Sequence, residues 1–369
     1  MMGAVDVESY RALGSQGDRY DSLLAHIHEP VPETKEMNHA HLRRRGLMKA
    51  LCAAGLVHTL PALAVAEPPA ETTRIRIQDS PITCFAPLYV AEALLKAEGF
   101  TDVQYVKTPL AEGPNEALAA GRIDLAQNDS AAHAMSLDAG APIVVLGGIH
   151  TGCWELFVQP SIRSLLDLKG KMVAAPEKSS RQAFVAAMVA SVGLDPRKDI
   201  VWINHAPAES MRLFEQGSID AFMGFVPEPQ ELRSRKVGRV LINTLTDRPW
   251  SQYFCCLAAG NGEFVRKYPI ATKRALRAIL KATDLCVSQP ESAARLMISR
   301  GVATNYDYVL QSVREIGYRK WREYESEDTM RFWCLRLREV GIVKSDPNKL
   351  LARGTDWRFI NELKRELKA

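Results

Sequence analysis

The feature that most constrains this chain is an alternation of strand and helix patterns that runs twice along it. Arg74-Ile75-Arg76-Ile77-Gln78 alternates with period two, as a strand does, and Ala86 to Ala97 places Leu88, Val90-Ala91 and Leu94-Leu95 at helical spacing before Gly99 stops it. Val103 to Lys107 alternates again. Strand, helix, strand in that order is a parallel βαβ unit, because parallel neighbours need a crossover that covers one sheet face. A helix over Asn115 to Ala120, a strand at Ile123 to Gln127, a helix over Ala131 to Ala139 and a strand at Ile143 to Leu146 complete one doubly wound lobe.

The pattern then starts afresh. After an apolar run at Trp154 to Val158 come Met172 to Ala175, a helix from Arg181 to Val192, Val201 to Ile203, a helix over Glu209 to Glu215, and Ile219 to Met223. Val240 to Ile242 and Tyr253 to Leu257 supply two more strands. Everything after Gly262 reads as helix, with Ala275, Leu276, Ile279, Leu280 and Val287 on one stripe. Ser326 is expected to cap a helix that carries Trp333, Leu337 and Val340 on its apolar face and stops at Gly341, packed on the first lobe. The fold class is therefore α/β: two doubly wound lobes with C-terminal helices.

Charge excludes some partners. Forty-seven Lys and Arg stand against 43 Asp and Glu, scattered rather than clustered, so there is no footprint for nucleic acid. The long uncharged stretch from Ala50 to Ala66 is short for a membrane span and is softened by His58, Thr59 and Pro61. Arg43-Arg44-Arg45-Gly46-Leu47-Met48-Lys49 precedes it, and Ala64-Val65-Ala66 closes it with small residues where a signal peptidase reads. The pair Arg44-Arg45 with its apolar followers resembles a twin-arginine export signal, which implies cleavage before Glu67, delivery by the twin-arginine translocase and a soluble periplasmic product. Residues 1–42 are polar and acid-rich, unlike a normal n-region: either Met37 is the start, or a real extension begins at Met1.

Six cysteines follow the expected cleavage point, at 84, 153, 255, 256, 286 and 334. None stands at CxxC spacing, so no structural zinc and no other metal or cofactor is expected from spacing; the even number permits disulfides in an exported protein without requiring them. Small buried hydrophobes are the ordinary role for such residues. No nucleophile elbow, phosphate loop or HExxH is present.

Ala86-Pro87-Leu88-Tyr89-Val90-Ala91, Gly121-Arg122-Ile123-Asp124-Leu125-Ala126, Leu168-Lys169-Gly170-Lys171, Gly217-Ser218-Ile219-Asp220-Ala221 and Val226-Pro227-Glu228-Pro229 stand in an order and spacing that together resemble the nitrate, sulfonate and taurine type of ABC-transporter solute-binding protein. The resemblance covers about residues 74–300 and implies the type II periplasmic-binding-protein fold, with a ligand between two lobes joined by a hinge. It places the lobes at 67–152 plus 253–369 and at 153–252, after an extension and signal at 1–66. It further implies a monomer that serves an ABC permease with its ATPase and takes a small organic anion or zwitterion.

The same superfamily contains thiamine-pyrimidine synthases, which consume a histidine just before Leu-Tyr-Val-Ala and need a cysteine-rich run. Phe85 occupies that histidine position and Cys255-Cys256 is the most that answers to the run, so the resemblance implies a binder rather than that enzyme. A pyrimidine-precursor binder or synthase-like protein is the alternative, and a sensory lobe pair without a transporter is a third class.

Loops that follow strands supply the candidate ligand residues, since strand C-terminal ends and helix N-termini face an interlobe cleft. Thr83, Cys84 and Phe85 follow the first strand, either touching ligand or packing a turn. Asp129 and Ser130 either contact ligand or only cap the next helix. Ser180 and Arg181 open a second-lobe helix and suit an anion, unless they form a solvated capping loop. Glu228 is placed to take an amine or to stand on the rim, while His150, Trp154 and Tyr253 sit on the crossings for stacking or hinge packing.

Overall fold

The computed structural model describes residues 67–108 and 113–368; Arg44, Arg45, Ala64 and Ala66 lie outside the described residues. Residues Pro69–Ala369 form one compact unit. Its strands in chain order are β1 Arg74–Asp79, β2 Asp102–Lys107, β3 Leu125–Asp129, β4 Ile143–His150, β5 Trp154–Val158, β6 Lys171–Ala174, β7 Ile200–Ile203, β8 Ala221–Phe225, β9 Arg239–Asn243 and β10 Cys256–Asn261. They make two five-stranded sheets, ordered β2-β1-β3-β10-β4 and β7-β6-β8-β5-β9.

Each sheet is mixed, for a topological reason. The parallel strands β1, β2 and β3 of the first sheet and β6, β7 and β8 of the second have their C-terminal ends at the seam between the halves. A strand that enters a half across the seam starts where those end, so it must run antiparallel. β5 does so against β8 and β9, and β10 does so against β3 and β4. The strand expected at Tyr253 to Leu257 accordingly begins only at Cys256, because residues 244–255 are spent in crossing.

The crossings lie side by side. Residues 151–153 join β4 to β5, and Cys255 N–H donates to the His150 carbonyl (2.9 Å) while Thr244 N–H donates to the Trp154 carbonyl (3.0 Å). Gly148 on β4 leaves room for the Phe254 ring of the second crossing, into which a Cβ would run. One apolar core continues through this region, from Ile75, Ile77 and Leu125 in the first half to Leu156, Val173 and Met223 in the second.

The repeated Gly-x-Ile-Asp strings have a shared structural role. Gly121 (φ +66°) and Gly217 (φ +73°) end helices in the left-handed conformation that favours glycine. Ile123 and Ile219 are buried, and each aspartate then staples to the backbone of the adjacent strand. Asp124 accepts from Arg76 N–H (2.7 Å) and from its guanidinium (2.6 Å), while Asp220 accepts from Met172 N–H (2.9 Å).

The helical tail departs from expectation at Ser326. Glu325 is the N-cap of the Ser326–Glu339 helix, and the Ser326 hydroxyl instead accepts from Gly148 N–H (2.9 Å), tying the helix to β4. That helix packs against both Ser130–Asp138 of the first half and Ser180–Ala190 of the second, rather than on the first alone.

Asp124 is buried and pairs with the partly exposed Arg76, whereas Asp220 is only partly buried. Asp124→Ala is expected to cost about 1.5–3 kcal/mol and Asp220→Ala about 1 kcal/mol, because Asp124 is buried and accepts from a guanidinium as well as a backbone N–H, whereas the Asp220 bond to Met172 N–H is exposed to water. Denaturant unfolding checks this; equal losses would contradict the staple argument.

Candidate functional site

The seam is polar at one end and aromatic at the other. Asp129 ends β3 and caps the next helix, its Oδ1 accepting from Ala132 N–H (2.8 Å). Its Oδ2 accepts from the Ser180 hydroxyl (2.7 Å) at the start of the second-half helix, so one buried carboxylate bridges the two halves. Ser130 donates to the Phe254 (2.6 Å) and Cys255 (2.9 Å) carbonyls, holding the second crossing to the first sheet. Burial pushes the Asp129 carboxyl up to about 7, against the opposing pull of Ser180.

Arg181 is not the open cationic anchor expected from its place after two serines. Its guanidinium forms a fork with Glu228, Nη1 to Oε2 and Nη2 to Oε1 both at 2.9 Å, and also donates to the Met223 carbonyl. It lies over the rings of Trp154 (5.5 Å) and Phe222 (5.3 Å). The local reason is that the helix buries its Arg181 face, while Ser179 and the backbone do the capping. Glu228 in turn opens the Glu228–Ser234 helix and accepts from Phe225 N–H (2.8 Å), so it is part of the fold as well as of the seam.

Trp154 begins β5 between Phe225 (4.3 Å between centroids) and Phe184 (5.2 Å), and Phe184 meets Trp333 of the tail at 4.2 Å. The indole N–H groups of Trp154 and Trp333 are buried without a hydrogen-bond partner. Tyr253 stacks on Phe332 (3.9 Å, 14°) and is half-buried. These rings close the seam between the halves.

Thr83, Cys84 and Phe85 form a buried single turn. Phe85 is 2% exposed and belongs to the core, so it offers no surface for chemistry. The Cys84 carbonyl accepts from Gln127 Nε2 (3.2 Å) and from the Tyr318 hydroxyl (3.4 Å). His150, at the end of β4, has Nε2 within 2.9 Å of Gln127 Nε2 and its ring edge-on to Tyr318, while Nδ1 has no partner.

All six cysteines of the described residues are buried and unbridged. Four side chains from three chain segments nevertheless converge: Cys84, His150, Cys153 and Cys256 offer donor atoms that all lie within 4.8 Å of one another, and Cys255 Sγ is 3.7 Å from Cys256 Sγ. Burial pushes the Cys84, Cys153 and Cys255 thiols well up. For Cys256 burial is overcome by hydrogen bonds from the three neighbouring thiols and by His150, which hold it well below the usual thiol range. A search for CxxC missed this group, because Cys84 and Cys256 meet the others only through the fold; the signals in the sequence are the His150-x-x-Cys153 spacing and the place of all four residues at or just beyond a strand end.

A family model described as NMT1/THI5 like matches residues 82–293. Over 254 residues the chain is 24% identical to the nitrate import ATP-binding protein NrtC of Synechocystis, covering 62% of this chain but only 38% of that relative. Two solved structures share the fold: the periplasmic nitrate-binding protein NrtA from Synechocystis PCC 6803 (TM-score 0.69, 15% identity, 82% of this chain and 90% of that one) and the alkanesulfonate-binding protein SsuA from Xanthomonas axonopodis pv. citri bound to MOPS (TM-score 0.63, 17% identity, 79% and 99%). The fold is thus the periplasmic-binding-protein fold.

Two outcomes test the seam. Removing one member of a buried fork strands the other charge, so Arg181→Ala is expected to destabilise the protein by about 3–5 kcal/mol. An unchanged melting temperature would return Arg181 to a solvated role.

Asp129 sets a pH dependence. Its folded pKa lies above the unfolded value, so the folded state holds more protons between about pH 4 and 7 and this group's contribution to stability falls as pH rises through that window. Asp129→Asn, which keeps a good cap, should therefore gain melting temperature relative to the parent as pH rises from 5 to 8. A difference that does not change with pH would refute this.

Proposed function

We propose that this chain, which belongs to the NMT1/THI5-like family, is the exported ligand-binding component of an ABC importer and takes a small organic anion or zwitterion at the seam. The observation that carries the reading is the double crossing: two sheets present their strand C-terminal ends to each other across Asp129, Ser180, Arg181 and Glu228, joined by two adjacent segments. Parting the halves about these crossings breaks the Ser180–Asp129 bond, the Phe184–Trp333 contact and the bonds that Gln230, Arg233 and Ser234 make to Glu315 and Tyr308 of the tail, a small set of contacts of the kind hinge closure on a ligand exchanges.

Two buried indole donors support an acceptor-rich ligand. Oxygens of a sulfonate or carboxylate would satisfy the Trp154 and Trp333 N–H groups, and the fork offers a guanidinium to the anion and a carboxylate to an amine. Nitrate- and sulfonate-binding proteins among the structural relatives agree with that class. Synthase chemistry is disfavoured, because the apolar Phe85 stands buried where that enzyme's histidine would be consumed. Delivery by the twin-arginine route through Arg44-Arg45, with cleavage after Ala64-Val65-Ala66, completes the proposal.

Thermal-shift screening of the purified chain against taurine, alkanesulfonates, nitrate, dicarboxylates and pyrimidines tests it. A ligand present at 100 times its Kd adds about 2.7 kcal/mol, which is readily visible. Stabilisation by a sulfonate or amino-sulfonate, lost in Trp154→Phe, is the expected result. Turnover of a pyrimidine precursor with iron and pyridoxal phosphate would overturn the binding reading.

A further inference from the structure

We propose that Cys84, His150, Cys153 and Cys256 bind one thiophilic d10 metal ion, zinc(II), at the point where both crossings meet. This goes beyond the ligand reading and does not depend on it, since the four donors belong to the crossings and their flanks rather than to the Arg181–Glu228 end of the seam.

Geometry carries the argument first. Tetrahedral zinc with sulfur at about 2.3 Å and nitrogen at about 2.0 Å separates its ligand atoms by roughly 3.5–3.8 Å. The four donors here already lie within 4.8 Å of one another, so a contraction of about an ångström would complete the shell. They are contributed by the turn after β1, the end of β4, the first crossing and the start of β10. His150 and Cys153 stand three residues apart, and a donor set that joins this pair to Cys84 and Cys256 from two distant segments needs the whole fold to be in place.

The donor chemistry agrees. Three sulfurs and an imidazole with no carboxylate among them select a soft or borderline ion over magnesium or calcium. Gln127 Nε2 lies 2.9 Å from one imidazole nitrogen, and the other, Nδ1, is buried without a partner; ligation through Nδ1 puts the ring proton on Nε2 and requires the Gln127 amide to turn, so that its Oε1, also buried without a partner, accepts that proton. Binding releases the thiol protons. Zinc(II) with three thiolates leaves one net negative charge in a buried site, whereas copper(I) would leave two, and the smaller uncompensated charge is the less costly.

Two further observations fit an ion. Cys153 holds φ +116°, a conformation rarely adopted by a residue with a Cβ, directly after Gly152 at φ +74°. Such strain persists where surroundings over-determine it, and metal ligation is one such demand. Cys153 also lines a small pocket with Gln230 and with Glu155 and Glu315, two carboxylates that share Arg233.

The test uses the full-length chain, exported and purified without added metal, then stripped and reloaded. Metal content by mass spectrometry and zinc titration against a chromophoric chelator should give one zinc per chain. Cobalt(II) substitution should show thiolate charge-transfer and tetrahedral d–d bands. Cys84→Ser and Cys256→Ser should each reduce zinc affinity at least about tenfold, while Cys286→Ser and Cys334→Ser, buried elsewhere in the core, should leave it unchanged.

Should a ligand variant fail to fold, the cobalt spectrum of the parent chain still decides, because a non-thiolate site gives no charge-transfer band. Tighter retention of copper(I) than of zinc in direct competition would overturn the zinc assignment. Absence of any stoichiometric ion, or a disulfide joining two of these cysteines in the exported protein, would overturn the site itself. Organic ligands are absent from every arm, so the outcome is independent of the thermal-shift screen.

Discussion

The arrangement rests on the hydrogen bonds that hold the two crossings against each other, His150 to Cys255 and Trp154 to Thr244. Because both crossings leave and enter at strand C-terminal ends, they decide that β5 and β10 run antiparallel and that each half closes around a returning strand. Separating them would undo the sheet order of both halves at once. This is why the functional groups gather where they do: the chain passes the seam twice, and each passage is flanked by strand ends whose side chains must find partners there.

Within the seam, polar pairing and aromatic packing do different work. The Arg181–Glu228 fork lies inside the second half and is covered by Trp154 and Phe222, so it stabilises that half whether or not the first is apposed. The Ser180–Asp129 bond and the Phe184–Trp333 contact, by contrast, exist only across the seam. Water replaces the partners of Ser180 and Asp129 on opening, so the net worth of that bond is small, and apolar ring area supplies much of what holds the halves together. Opening also parts Glu315 and Tyr308 of the tail from Gln230, Arg233 and Ser234, so it is governed by these bonds together with the ring surface that is rehydrated.

Much of the fold was legible because its signals are local. Period-two alternation and short apolar runs located nine of the strands to within a few residues, and the two Gly-x-Ile-Asp strings marked equivalent places in both halves before their stapling role was visible. The start of β10 was misplaced because Tyr253, Phe254 and Cys255 are as apolar as strand residues yet serve a crossing. Ser326 misled for a related reason: a serine before two acids is a good cap pattern, but Gly148 has a buried N–H with a stronger claim on its hydroxyl.

The site was legible only in outline. Loops after strands did come together at the seam, but the partner of each side chain was set by contacts 42 to 51 positions apart in sequence, as between Arg181 and Glu228 or Asp129 and Ser180, which no spacing rule encodes. Sequence proximity favoured Arg181 as a free cation; burial required a partner, and Glu228 supplied it. The cysteines make the same point in reverse. Local cysteine spacing argued against a metal, since CxxC arises when one turn provides two ligands, yet a seam crossed twice brings Cys84 and Cys256 from distant segments to the His150–Cys153 pair of the first crossing. In a fold of this topology the relevant spacing is between strand ends, and Cys84, His150, Cys153 and Cys256 all satisfy that rule.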